Sequence, residues 1–477
     1  MTSNTTNPAT SAVTMASLVA IALAVTLVTA VLALAVPAPA SALPGDEVWR
    51  ASYDGGVAGG QDQAHGLVFA PKGFLYVVGY AEHGAPAGVD ATVLRYSASG
   101  SRKWKRFYDG PAHSSDRAQG AVADRAGNLY ICGSVGRADL STDLLLVKYT
   151  PAGRRVWVRT YDGPLHGNDS ARAVALDGAG NVFVAGTVGD PADPMGADLR
   201  LLKYDRSGHR QWVRGFNPGA GHYLGISDLL IDKERGRVYV SAEYETTSNG
   251  WQWFLARYAT NGTRKWRHDW GGADSDQAKA LALSANGNIY QVGSTVQPPA
   301  VDSDAAIVKW TAAGEIADGW PLTFAGPGDG EDHYYDVTVD RSGKIHVVGD
   351  SFSGLSGANS LMCAYDSVGV VQYSSTYFHP GAQTLWKVAC DRAGNTYAGG
   401  YSNEGGANPA YLVMKKANDG VSISWRKTAK ESTTVTSGTD TLHSLAWRGG
   451  AYAGVYVTGN GDGDATEWDF FTIRFEP

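Results

Sequence analysis

Cysteine is scarce in this chain, at three among 477 residues, and the spacings fit neither a disulfide framework nor a clustered metal site. Methionine is nearly as rare at five, and only 18% of residues are charged. Lys and Arg number 40 against 47 Asp and Glu, so the net charge of −7 leaves no basic footprint for nucleic acid or anionic lipid. After residue 42 no apolar run is long enough to span a membrane, and no segment keeps helical periodicity over ten residues. Bundles and coiled coils are therefore excluded. There is no His-Glu-x-x-His, no P-loop, and no G-x-S-x-G elbow at a strand-to-helix turn. What the chain has is glycine, 60 residues, and 10% aromatics, with 14 Trp and 24 Tyr. Many tight turns and many large side chains to bury point to an all-β protein.

The first 42 residues stand apart. From Ala16 to Val36 they are almost wholly Ala, Val, Leu and Ile, followed by Pro37-Ala-Pro-Ala-Ser-Ala42. Ala40 and Ala42 around Ser41 fit a small-residue cleavage signal, which predicts an export signal over 1–42 and a secreted chain beginning at Leu43. No Lys or Arg precedes Arg50, which departs from the usual signal; an uncleaved anchor is the alternative. Residues 43–477 read as a single domain. Within it Cys132, Cys363 and Cys390 replace ordinary apolar residues and read as small buried hydrophobes. A Cys363–Cys390 bridge is the alternative for an exported protein.

A repeat organises that domain. Trp49, Trp104, Trp157, Trp212, Trp266, Trp320, Tyr373 and Trp425 recur at intervals of 52–55 residues. Each unit has four short β-like runs: one carrying the Trp, one rich in small residues, one ending at glycine, and one ending in a basic-plus-aromatic pair. Asp-x-x-Gly-Asn between the second and third runs, as at Asp177 to Asn181, is hairpin-turn chemistry. Four strands per repeat around a ring predict a β-propeller of eight four-stranded antiparallel blades. The last unit ends after its fourth run, while Glu47 to Tyr53 is an unpaired Trp strand. The N-terminal strand is expected to complete the last blade and close the ring.

The run Tyr149-Thr-Pro-Ala-Gly-Arg-Arg-Val-Trp157, with Tyr161-Asp-Gly, Asp169, Asp177-Gly-Ala-Gly-Asn181 and Val184-Ala-Gly186, resembles the secreted bacterial β-propeller repeats called SBBP repeats. The resemblance extends over residues 43–477. That family's name implies seven blades, whereas the count here is eight. Lys203-Tyr-Asp-Arg-Ser-Gly-His-Arg-Gln-Trp212 is also similar to the tryptophan motif of quinoprotein-type propellers, which have eight. Neither resemblance implies an activity, and adjacent cysteines and long insertions suited to a quinone are missing.

Repetition separates frame from site. Asp62, Asp116, Asp169, Asp276, Asp332 and Asp440 recur before the small-residue run and are expected to cap a loop or bond to the next blade. The eight Trp-type residues are expected to pack between blades. Seven of 11 histidines, His65, His113, His166, His222, His333, His379 and His443, fall between the Trp run and the small-residue run. That connection opens on the central funnel if the small-residue strand is innermost. Units 4, 6 and 7 depart most from the repeat. His333 as base, Tyr335 as acid and His222 are the catalytic candidates, and Tyr223, Asp332, His379 and Trp386 the ligand-binding ones. Tyr334 and Asp336 are expected to turn into the blade. Asn460-Gly-Asp462-Gly-Asp464 places oxygens at alternate positions, making Asp462 and Asp464 candidate calcium ligands, although Ala465 and Phe471 replace the Gly and Glu of such loops. No other cofactor is required.

These residues suit a monomeric binding or scaffold module outside the cell, recognising polysaccharide or protein, with no nucleic-acid partner and no membrane contact after signal cleavage. The alternative is a polysaccharide lyase or glycoside hydrolase. Uniform repeat length favours binding; the His-rich face favours the enzyme.

Overall fold

The computed structural model describes residues 43–477 except 58–59, 85–87, 220, 247–249, 273–274, 297–301, 329, 355–356, 380, 404–409, 421, 430–440 and 463–467. Pro44–Pro477 forms one compact unit. Eight four-stranded antiparallel sheets are arranged in a ring, an eight-bladed β-propeller. Among the described residues no helix is long and apolar enough to cross a membrane. Blade 1 runs outward through Gln63–Phe69, Leu75–Glu82, Val89–Tyr96 and Arg102–Tyr108, and the next six blades repeat that order. Blade 8 has Thr441–Arg448 innermost, then Gly454–Asp462 and Trp468–Phe475, with Glu47–Tyr53 from the N-terminal side outermost. Trp49 faces Arg474 and Tyr53 faces Phe470 across that last ladder. The expected closure and the count of eight are both present.

The Trp residues recur because they form a girdle. The hairpin leading into each outer strand turns at a glycine of positive φ, such as Gly153, Gly208 or Gly262. The Trp of the preceding blade lies against that glycine. A Cβ added at Gly153 would sit 3.0 Å from Trp104, and one at Gly262 would sit 2.9 Å from Trp212. Only glycine meets both demands, the left-handed turn and the close ring. Trp104 Nε1 donates to Pro151 O at 3.0 Å, and Trp49 Nε1 to Ala98 O at 3.0 Å. After Trp104, Trp157 and Trp212, an arginine two residues on reaches the carbonyl of the same glycine, as Arg106 to Gly153 O and Arg214 to Gly262 O, each at 2.7 Å. The girdle crosses the chain closure, where Gly45 lies against Trp425.

The recurring aspartates are a second fastening. Asp116 accepts from Gly110 N in the loop arriving from blade 1, and from Gly136 N at 2.9 Å in its own second strand. Asp169 does the same with Gly163 N and Gly189 N, and Asp62 with Gly55 N and Glu82 N. Burial pushes the Asp62, Asp116 and Asp169 carboxyls up to about 6, against the pull of these backbone N–H groups. This is the expected loop-capping role; Asp440 lies outside the described residues. All three cysteines are free, with Cys132 and Cys363 buried, so Cys363 and Cys390 are not bridged.

Candidate functional site: the central cavity

Every inner strand slips by one residue at the same place. The ladder skips from Ala64 to Gly66 in blade 1, from Ala118 to Gly120 in blade 2, and equivalently in all eight blades. Such a bulge bends the strand and re-aims the unpaired side chain. The unpaired residues are His65, Gln119, Arg172 and Ser227 in blades 1 to 4, and Lys279, Tyr335, Trp386 and His443 in blades 5 to 8. All eight line one central cavity of about 670 Å³.

A glycine within the second strand of seven blades stands opposite the bulge and lets the bulged strand approach closely. A Cβ at Gly79, Gly133, Gly186, Gly293, Gly349, Gly400 or Gly459 would fall 1.7–2.3 Å from a carbonyl oxygen of the bulged strand. Blade 4 alone carries Ala242 there, opposite Ile226. Those glycines were a usable sequence signal: the residue after each one's cross-strand partner is the one that faces the cavity.

Of the residues singled out from sequence, Tyr335 and Trp386 stand on neighbouring blades in the cavity wall. Trp386 also packs on Tyr401, with ring centroids 5.0 Å apart. His333 stacks on Tyr335 at 5.6 Å and 24°, as alternation predicts, but lines a separate recess with Ser303 and Glu331. Asp350 holds the group together. It pairs with His333 Nδ1 at 3.1 Å, accepts from Thr384 Oγ1 at 2.9 Å, and receives a long bond from the Tyr335 hydroxyl at 3.5 Å. Burial and the Asp350 charge push the Tyr335 hydroxyl well above its ordinary range, so it remains a bound donor. Tyr334 is fully buried, with its hydroxyl 2.8 Å from that of Tyr365, as expected of an inward residue.

Other expectations are corrected. Asp332 is not at the cavity; it is buried and clasps Gly326 N like its counterparts in other blades. His222 and Tyr223 lie in the loop before the inner strand of blade 4, where Tyr223 is 44% exposed and packs beside Trp251. His379 is exposed in the loop after Val371–Tyr377. Loop lengths differ ahead of the inner strands, and these side chains stop short of the bulge ring. Of the seven histidines on this connection, only His65 and His443 line the cavity; exposed His113 and His166 pair with Asp109 and Asp162. Asn460 and Asp462 belong to strand Gly454–Asp462, not a loop, and Asn460 is buried against His443 Nε2. Asp464 lies outside the described residues. Asp143, Asp162 and Asp169 cluster elsewhere, and Arg137 already meets two of them, at 2.9 and 2.6 Å.

One residue past the ring, Asp336 and Asp228 sew blades together. Asp336 accepts from Val388 N at 2.9 Å and Asp228 from Leu281 N at 3.0 Å, in each case on the following blade. Burial raises both carboxyls, and the charge of Lys387 opposes that rise. Lys279 pairs with Glu243 at 3.5 Å. His65 and His443 face each other across the seam of blades 1 and 8, with ring centroids 5.1 Å apart.

Burial, helped by neighbouring positive groups, lowers His65 to about 3 and lowers His443 as well. Between about pH 3 and the ordinary value near 6.5, the unfolded chain holds the extra proton. The stability contributed by a neutral His65 is therefore complete above about pH 6.5 and is lost as pH falls toward 3. An NMR titration of the His65 ring should show no protonation down to about pH 4; a midpoint above 5 would contradict this burial.

No family model and no curated protein matches the chain. Among solved structures, quinohemoprotein alcohol dehydrogenase from Comamonas testosteroni is similar over 90% of this chain and 76% of its own, at TM-score 0.52 and 11% identity. Polysaccharide lyase Uly1 aligns over 86% of this chain and 90% of its own, at TM-score 0.44 and 9% identity. The β-propeller domain of the Trilobed protease from Pyrococcus furiosus aligns over 72% and 89%, at TM-score 0.41 and 10% identity. At 11% identity the likeness to the dehydrogenase speaks for the fold alone, and a propeller frame hosts unrelated activities.

Proposed function

We propose that this chain is an exported propeller of the secreted bacterial repeat type, and that its central cavity binds carbohydrate without cleaving it. One observation carries the reading. Tyr335 and Trp386 present adjacent aromatic surface inside a ring whose other members are polar, the combination that stacks on sugar rings while hydrogen-bonding their hydroxyls. The lyase or hydrolase reading is less well supported. Its base and acid, His333 and Tyr335, both commit polar atoms to Asp350, and His333 faces a different recess.

The test is retention on a panel of immobilised polysaccharides, scored also for release of cleaved product. Trp386→Ala is expected to weaken binding of the retained polymer by about tenfold or more, roughly the 1–3 kcal/mol of a lost stacking contact. Wild-type affinity in Trp386→Ala would move the ligand out of the cavity. Product released by the wild type but not by His333→Ala would replace binding with catalysis.

A further inference from the structure

We propose that the sugar held in the cavity is an acidic one, its carboxylate received by Arg172. This rests on the carbohydrate reading and names the class of sugar. The ring is uneven in charge. Lys279 is already paired with Glu243, and Lys387 acts on the buried carboxylates of Asp228 and Asp336. Both of those carboxylates are occupied by backbone N–H groups. Arg172 differs. Its guanidinium is exposed in the cavity wall, its hydrogen bond to Gln119 Oε1 is 3.5 Å long, and no carboxylate lies within ion-pair reach of it among the described residues.

His65 and His443, on blades 1 and 8, both feel Arg172 as a nearby positive group. Gln119, on blade 2, offers only an amide. In a ring of eight blades, Arg172 on blade 3 stands diametrically across from Trp386 on blade 7, and Gln119 on blade 2 across from Tyr335 on blade 6. One wall carries the aromatic pair, with Lys387 next to Trp386, and the opposite wall carries Arg172. A pyranose ring against Trp386 and Tyr335 that carries a carboxylate toward blade 3 satisfies both walls. The guanidinium fork matches a carboxylate with two parallel charge-assisted bonds, which no sugar hydroxyl provides. A neutral sugar leaves that cation facing the cavity unpaired.

The experiment compares polygalacturonate with its carboxyl-reduced counterpart by calorimetry, using the intact protein at physiological ionic strength. A parallel arm pairs the galacturonate trisaccharide with the galactose trisaccharide, and so separates recognition of a free saccharide from recognition within a polymer. The wild type is expected to bind the uronate form at least tenfold more tightly in one arm or both. Arg172→Gln should bring that ratio close to one, with its melting temperature unchanged because the side chain is exposed. A wild-type ratio near one, or a ratio that survives in Arg172→Gln, would overturn the proposal. Equal retention of uronate and neutral forms, lost in Trp386→Ala, would leave carbohydrate binding standing and remove only the acidic preference. Retention of neither form would remove the carbohydrate reading together with it.

Discussion

Removal of residues 43–53 is expected to cost several kcal/mol of stability or to cause aggregation, far beyond the ~0.5 kcal/mol of an ordinary surface change. The segment supplies the outer strand of blade 8, so its loss exposes the ladder edge of Trp468–Phe475. It also breaks the girdle on both sides of the closure. Gly45, which lies against Trp425, goes, and so does Trp49, which lies against Gly100 and donates to Ala98 O. Tyr53 goes as well, buried to 4% exposure with its hydroxyl 2.8 Å from His83 Nε2. Trp49→Ala alone should account for about 3 kcal/mol, the usual cost of truncating a packed aromatic. Thermal melting and size-exclusion chromatography of the truncated chain decide the matter. Melting within a degree or two of the intact protein would show that the ring does not depend on this closure.

Gly133→Ala should be among the most damaging single-methyl changes in the protein's second strands, at about 3 kcal/mol or more. A Cβ there would meet Arg117 O at 1.8 Å, Arg117 C at 2.8 Å and the Cα of Ala118 at 3.1 Å. All three are backbone atoms, so no side chain can swing aside, and the bulge that aims Gln119 into the cavity would have to open. The cost comes from crowding rather than from an unusual backbone angle. Blade 4 provides the control, because Ala242 occupies the matching position opposite Ile226. Ala242→Gly should cost roughly 1–2 kcal/mol, from added chain freedom and the loss of one buried methyl. Denaturant unfolding of the two variants checks both values, and a Gly133→Ala loss under about 1 kcal/mol would show that the bulge is not held by that contact.

Local chemistry repeated every 52–55 residues was enough to read most of the frame from sequence. Asp-x-x-Gly-Asn turns, a Trp or Tyr per unit and a recurring strand glycine each express a contact made inside one blade or with the next. Strand number, blade number, the closing strand, the inter-blade Trp and the capping Asp follow from such short-range rules. Tyr335 and Trp386 were legible because they break the repeat. His222 and His379 break it too, but they precede the inner strand, and their loops leave them outside the cavity. Gln119, Arg172, Ser227 and Lys279 passed unnoticed because a polar residue in a small-residue strand looks like an ordinary solvent-facing position.

The fold decided what those residues became. A bulge at one level of all eight inner strands turned a scattered set of side chains into a single ring, and the ring placed Arg172 opposite Trp386 across 214 residues of sequence. Alternation along one strand governs a side chain's partners two residues away. Which side chains meet across a closed ring depends on how many blades lie between them, and that is set only when the last blade receives its strand from the beginning of the chain.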